Sequence, residues 1–244
     1  MRIPSFHDIL VSIGFLAVLA ALVLAGKWVW DTYRHPAADV DFNKYSVRGI
    51  DVSAHNGEID FNQVANSGIA FVWMKASEGE SVRDARFAEN FDNAVSAGLH
   101  VGAYHFFRFD CDGVMQAMNL CRALGPVKPD MGIAIDVELE NNPTDVPDSE
   151  ILLNLASMAD YLSMRGYPVT FYTNKEGYNR FIASQFADYP LWICSFSNWE
   201  PFEQGETPGP DTPWRFWQYS HSGTIPGIDG PVDLNVFSST RSAL

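Results

Sequence analysis

Two carboxylates two residues apart, Asp136 and Glu138 in the run IAIDVELE, are the residues best placed to do chemistry in this 244-residue chain. An apolar run that ends in such a pair reads as a strand. Side chains alternate along a strand, so positions two apart project from one face. Two carboxyls then share one pocket, where burial and mutual repulsion push their pKa values apart. One stays protonated as an acid and the other ionised, the arrangement that glycosidic cleavage needs. The spacing leaves open which of the two is the acid. Other polar residues close or follow other apolar runs: Asp51 in GIDVS, Lys75 and Glu78 in MKASEG, Tyr104 and His105 in GAYHFF, Tyr172 in FYTN, Trp192 in LWIC, Gln218 in FWQYS and Asp233 in VDLNVF. An isolated Asp-x-Glu is ordinarily a solvent-facing strand end; the wider set is what suggests a site.

Positioning such a set takes several strands. From residue 46 onward, short apolar runs alternate with amphipathic stretches, the pattern of a mostly parallel sheet with crossover helices. Strands are predicted at 47–53, 69–76, 99–107, 131–138, 168–174, 190–196, 214–220 and 231–237. Helices are predicted at 60–67, 84–97, 113–124, 149–165 and 175–187, each closed or followed by Gly or Pro: Gly68, Gly98, Gly125, Gly166 and Pro190. The loops 201–213 and 221–231 are rich in Pro and Gly and carry no helical period. The expected fold is therefore α/β, an irregular TIM-like β/α barrel whose last third lacks helices. In a barrel of parallel strands the active site lies at their carboxyl ends.

Composition narrows the class. The chain is 47% hydrophobic and 14% aromatic, enough for one sizeable core. A formal net charge of −14 argues against a nucleic-acid partner, which calls for clustered Lys and Arg. Residues 9–25, ILVSIGFLAVLAALVLA, are uncharged and apolar, and Trp28, Trp30 and Tyr33 follow as an interfacial belt would. The expected division is a short tail at 1–8, a transmembrane signal-anchor at 9–30, a linker at 31–45 and a catalytic barrel at 46–244. A signal peptide cleaved near Gly26 is the other reading of the apolar run. Cys111, Cys121 and Cys194 leave at least one unpaired and show no metal-ligand spacing, so no zinc site is suggested. A Cys111–Cys121 bridge is left open, and Cys194 reads as a small buried strand residue.

GIDVSAHNG, VWMKASEG, GAYHFF, IAIDVE, FYTN, LWI, WQYS and VDLNVF, in that order over residues 47–238, resemble the family 25 glycoside hydrolases, the Chalaropsis-type lysozymes. Eight motifs in register are specific where any one alone is not. The resemblance implies hydrolysis of the β-1,4 bond between N-acetylmuramic acid and N-acetylglucosamine, without metal or cofactor. It places the general acid at Glu138 and its companion at Asp136. The companion would orient the substrate's own 2-acetamido group, whose oxygen attacks the anomeric carbon with overall retention. Asp51 and Asp233 match further acidic positions of the family cleft. Tyr104, Tyr172 and Trp192 would offer sugar-facing aromatic surface, with core packing as the alternative for each. Lys75, Glu78 and Gln218 match family motifs as supporting partners, with a structural ion pair as the alternative for Lys75. His105 is either a partner of a cleft carboxylate or a structural histidine. The stretch CSFSNWE after LWI departs from the family pattern, so one wall of the cleft is expected to differ.

The expected partners are peptidoglycan glycan strands and, through the amino-terminal run, a membrane, with the barrel monomeric on the extracytoplasmic side. The competing readings are a non-catalytic glycan-binding protein and a glycosidase acting on chitin-like chains.

Overall fold

The computed structural model describes residues 37–196 and 214–238, together with Phe15, residues 18–24 and Gly26 of the amino-terminal run. The chain divides into two compact units, residues 1–36 and 37–244. The transmembrane segment expected at 9–30 lies mostly outside the described residues; those described within it are helical. Among the described residues no helix is long and apolar enough to cross a membrane.

The larger unit is a closed barrel. Its strands are β1 (Val47–Val52), β2 (Ile69–Glu78), β3 (Val82–Arg83), β4 (His100–Phe106), β5 (Ile133–Asp136), β6 (Val169–Asn174), β7 (Leu191–Cys194), β8 (Trp214–Gly223) and β9 (Val232–Phe237). The sheet order β1-β9-β8-β7-β6-β5-β4-β2-β3 closes through pairing of β1 with β2, with the two-residue β3 outside the ring. Four helices alternate with the strands: α1 (Phe61–Asn66), α2 (Phe87–Ser96), α3 (Gly113–Leu124) and α4 (Asp148–Met164). Asp60 and Asp112 cap α1 and α3 by accepting backbone N–H bonds.

The irregular α/β barrel expected from the sequence is present, with three differences. β9 is antiparallel to both neighbours, β1 and β8. A parallel return needs a crossover of a dozen or more residues, and the stretch between β8 and β9 is too short for one. The helix expected at 175–187 is confined to Lys175–Gly177 and a π-helical turn at Tyr178–Ile182. The chain then bends so that the rings of Phe186 and Tyr189 pack on Phe171 at 4.8 and 5.3 Å. Residues 37–45, expected as linker, belong to the barrel unit. Ala38 N–H donates to Tyr219 O at 2.9 Å, and the Tyr45 ring lies 5.2 Å from Trp214.

Two apolar layers hold the barrel. Outside the sheet, Leu120, Leu155, Met158 and Leu162 of the helices pack against Ile133, Ile135 and Phe171. Inside is an aromatic plug of Phe71, Trp73, Tyr172, Trp192, Phe216 and Phe237. Trp73 stacks on Trp192 with centroids 5.2 Å apart, and Phe216 meets Trp73 edge-on at 5.3 Å. The plug needs small neighbours: a Cβ at Gly102 or Gly49 would overlap the ring of Trp73 or Phe71. The interior is thus a filled floor with polar side chains above it.

Candidate active site

The carboxyl ends of the parallel strands and the amino end of β9 meet at one rim. Asp51, near the end of β1, lies directly opposite Asp233, near the start of β9. The antiparallel course of β9 is what brings Asp233 to this rim. Asp136 is the last residue of β5 and pairs with Tyr172 of β6, which pairs with Trp192 of β7. The extended path continues past β5 because Val137 N–H donates to Tyr172 O at 2.9 Å. Glu138 therefore follows Asp136 onto the same side, as alternation predicts, and each carboxyl lies within the electrostatic reach of the other residues of the rim.

Beneath the carboxyls runs a hydrogen-bond network. Gln218 Nε2 and Asn235 Nδ2 both donate to Asp51 Oδ2, at 2.9 and 2.7 Å. Trp192 Nε1 donates to Asn235 Oδ1 at 2.7 Å, and the Tyr172 hydroxyl donates to Gln218 Oε1 at 2.8 Å. Asp51 thereby orients both amides, and the amides orient two rings. Trp192 is 2% exposed and Gln218 4%, so both sit below the surface that a sugar would touch. Tyr104 is half-buried, with its ring edge-on to Trp192 at 6.2 Å. Asn235, which no expectation named, lies two residues after Asp233 and so on the same face, a signal legible in the sequence.

Burial dominates the electrostatics. It raises the pKa of Asp136 well above the ordinary carboxylate range, and Glu138 pushes it further the same way. Burial, followed by the charge of Glu140, lifts Glu138 to about 7. Asp233 rises to about 9 through burial and then the neighbouring Asp51. Asp51 is raised less decisively, because the bonds from Gln218 and Asn235 offset its desolvation. Interacting carboxyls give up their protons in separate steps rather than together. Asp136 Oδ1 is buried and has no hydrogen-bond partner among the described residues.

Lys75 and Glu78 also reach the rim. Lys75 Nζ bonds Glu78 Oε2 at 2.8 Å and lies 5.3 Å from the centroid of the Phe106 ring. An irregularity in the β2–β4 register between Lys75 and Ser77 resets the alternation. Ser77 consequently faces His105, whose Nδ1 it meets at 2.8 Å, while His105 Nε2 meets Gln116 of α3 at 3.1 Å. His105 is therefore structural, and burial lowers its pKa to about 4, which keeps it neutral. All three cysteines are free. Cys111 precedes α3 and Cys121 lies well along it, a separation on the order of 10 Å by helical rise, beyond disulfide reach. Cys194 ends β7 beside Tyr172, with its thiol pKa pushed well up by burial. Among the described residues no group of three or more His, Cys, Asp or Glu side chains is arranged to hold a metal ion.

Comparison with known proteins gives a consistent result. The model of the glycosyl hydrolases family 25 matches residues 50–228. The autolytic lysozyme of Clostridium acetobutylicum is 33% identical over 192 residues, 79% of this chain, and the chain spans 56% of that relative's length. Lysozyme M1 of Streptomyces globisporus is 31% identical over 209 residues, covering 81% of this chain and 70% of the relative. A family 25 glycosyl hydrolase from Bacillus anthracis superposes with a TM-score of 0.74 at 30% identity, covering 85% of this chain and 95% of that one.

Proposed function

The chain belongs to the glycosyl hydrolases family 25, and on that premise we propose that it is a muramidase, cutting the β-1,4 bond between N-acetylmuramic acid and N-acetylglucosamine in peptidoglycan. The observation that carries the reading is the pair at the end of β5. Glu138 keeps its proton up to about pH 7, and the adjacent Asp136 carries a buried, unpartnered oxygen.

In the mechanism we propose, Glu138 gives its proton to the glycosidic oxygen as that bond breaks. The carbonyl oxygen of the substrate's 2-acetamido group attacks the anomeric carbon, while its N–H donates to Asp136. Water then attacks the anomeric carbon from the opposite face, Glu138 takes the water's proton, and the bond from the anomeric carbon to the acetamido oxygen breaks to restore the amide, so the configuration is retained. Asp51 and Asp233 set the charge around this pair, and Tyr104 and Tyr172 border it. Lys75 tempers the carboxylates, lowering both Asp136 and Glu138. Trp192 and Gln218 support the site from below.

The test is a digest of purified peptidoglycan and of chitin oligomers, with the new reducing sugar identified by mass. Reducing muramic acid from the wall supports the reading. Reducing glucosamine from chitin alone points to a chitin-directed glycosidase, and binding without release points to a glycan-binding protein. For location, we propose that residues 9–30 anchor a monomeric barrel on the outer side of the cytoplasmic membrane. Recovery of the full chain in the soluble fraction after expression would argue for release from the membrane, and recovery of a shortened chain for cleavage.

A further inference from the structure

Glu138 lies beyond the last residue of β5, so the sheet ladder alone does not fix it. What holds it is a neighbouring amide. Asn142 Nδ2 donates to the carbonyl oxygens of Glu138 and Phe107 at 2.8 and 3.0 Å, and its Oδ1 accepts the Phe109 N–H at 2.9 Å. The Glu138 backbone is thereby tied to the loop that follows β4. That loop is itself braced. Buried Gln116 of α3 accepts the Arg108 N–H at 2.8 Å and donates to the carbonyls of Arg108 and Cys111 at 2.9 and 3.1 Å. Arg108 Nη1 in turn donates to Asn141 O at 2.5 Å.

The backbone at Asn141 is shaped for this. Its φ of 63° is the only positive value at a non-glycine position among the described residues, and Asn is among the few residue types that take that conformation readily. The turn at Asn141 brings the Asn142 side chain back over the two carbonyls. Adjacent asparagines thus divide the work, one turning the chain and the next clamping it.

We propose that Asn142 is a positioning residue for Glu138: its amide ties the Glu138 carbonyl to the loop after β4 and so fixes where the acid's carboxyl stands. It touches no reacting atom. The proposal rests on the muramidase reading for its meaning, but its direct test needs no substrate. The groups around the Glu138 carboxyl are Asp136, Glu140, Asp51, Asp233, Lys75, Tyr172 and Cys194. Loosening the loop leaves the groups on strands in place, frees Glu140, whose charge raises Glu138, and lets water reach the carboxyl; both changes lower its pKa.

The experiment compares the full chain with Asn142→Ala and Asn142→Ser. The Glu138 carboxyl is titrated by carbon NMR and assigned by the signal missing from Glu138→Gln. Turnover on peptidoglycan and thermal stability are measured on the same samples. The expected result is a Glu138 titration moved toward the ordinary glutamate value in Asn142→Ala. With it, kcat should fall by about tenfold to a hundredfold, as small misplacements of a catalytic group do, and KM should change little. Asn142→Ser, which keeps one donor, should show the same changes to a smaller degree. A lower melting temperature with an unmoved titration and unchanged kcat per folded molecule would overturn the proposal. Failure of both variants to fold would overturn it too, since the clamp would then serve the fold rather than the acid. A moved titration in a chain whose wild type releases no reducing ends would leave the clamp standing and sink the muramidase reading.

Discussion

At the scale of single residues, the account turns on how much burial does to Glu138. Its carboxyl works as an acid only while protonated, and desolvation lifts its pKa to about 7. The rate constant kcat/KM should therefore fall about tenfold per unit above that pH as the acid loses its proton. A pH profile on soluble wall fragments checks this; a descending limb near pH 5 would mean that the carboxyl is solvated and ordinary. The pairing of Asp136 with Glu138 was readable from IAIDVE because alternation survives two residues beyond the strand. The supporting place of Trp192 was not. Its ring suits both a sugar-facing surface and a floor, and only the stack on Trp73 and the bond to Asn235 separate the two.

At the scale of elements, two strands decide the site. β9 brings Asp233 against Asp51 because it runs antiparallel, and the pair gives the barrel a pH-dependent stability. The folded pKa of Asp233, about 9, lies above its ordinary value of 3.8. The sign follows: the stabilising contribution is complete below the unfolded value and is lost as pH rises through the folded one. Asp233→Asn should accordingly raise Tm at pH 8 by several degrees, each kcal/mol being worth about 2–4 °C in a chain of this size, and change it little at pH 4. An equal shift at both pH values would contradict the assignment.

In the middle of β4, Gly102 makes room for the Trp73 ring. Gly102→Ala should cost about 1–3 kcal/mol through overpacking, measured by denaturant unfolding, and a neutral result would mean that the plug is loose. The eight barrel strands and most helices could be read from hydrophobic runs and glycine stops. The direction of β9 was implicit in a connection too short for a crossover, but loop composition alone does not give direction. The β2 irregularity, which turns Ser77 outward to His105, leaves no mark on the pattern because every residue near it is buried or half-buried. The clamp at Asn142 lies in a loop, where no periodicity operates.

At the scale of the whole molecule, a closed barrel unit carries all the proposed chemistry, and the first 36 residues form a unit of their own. With a formal charge of −14, the chain has no general attraction for anionic wall polymers. Its hold on glycan must come from the rim itself or from confinement near the wall, the role proposed for residues 9–30. The central claim remains the acid at the end of β5. The most direct test is the release of reducing ends from purified peptidoglycan by equal folded amounts of the wild type and Glu138→Gln. The account predicts muropeptides ending in reducing muramic acid from the wild type and a loss of about a hundredfold or more in the variant. Equal release by both proteins would contradict it.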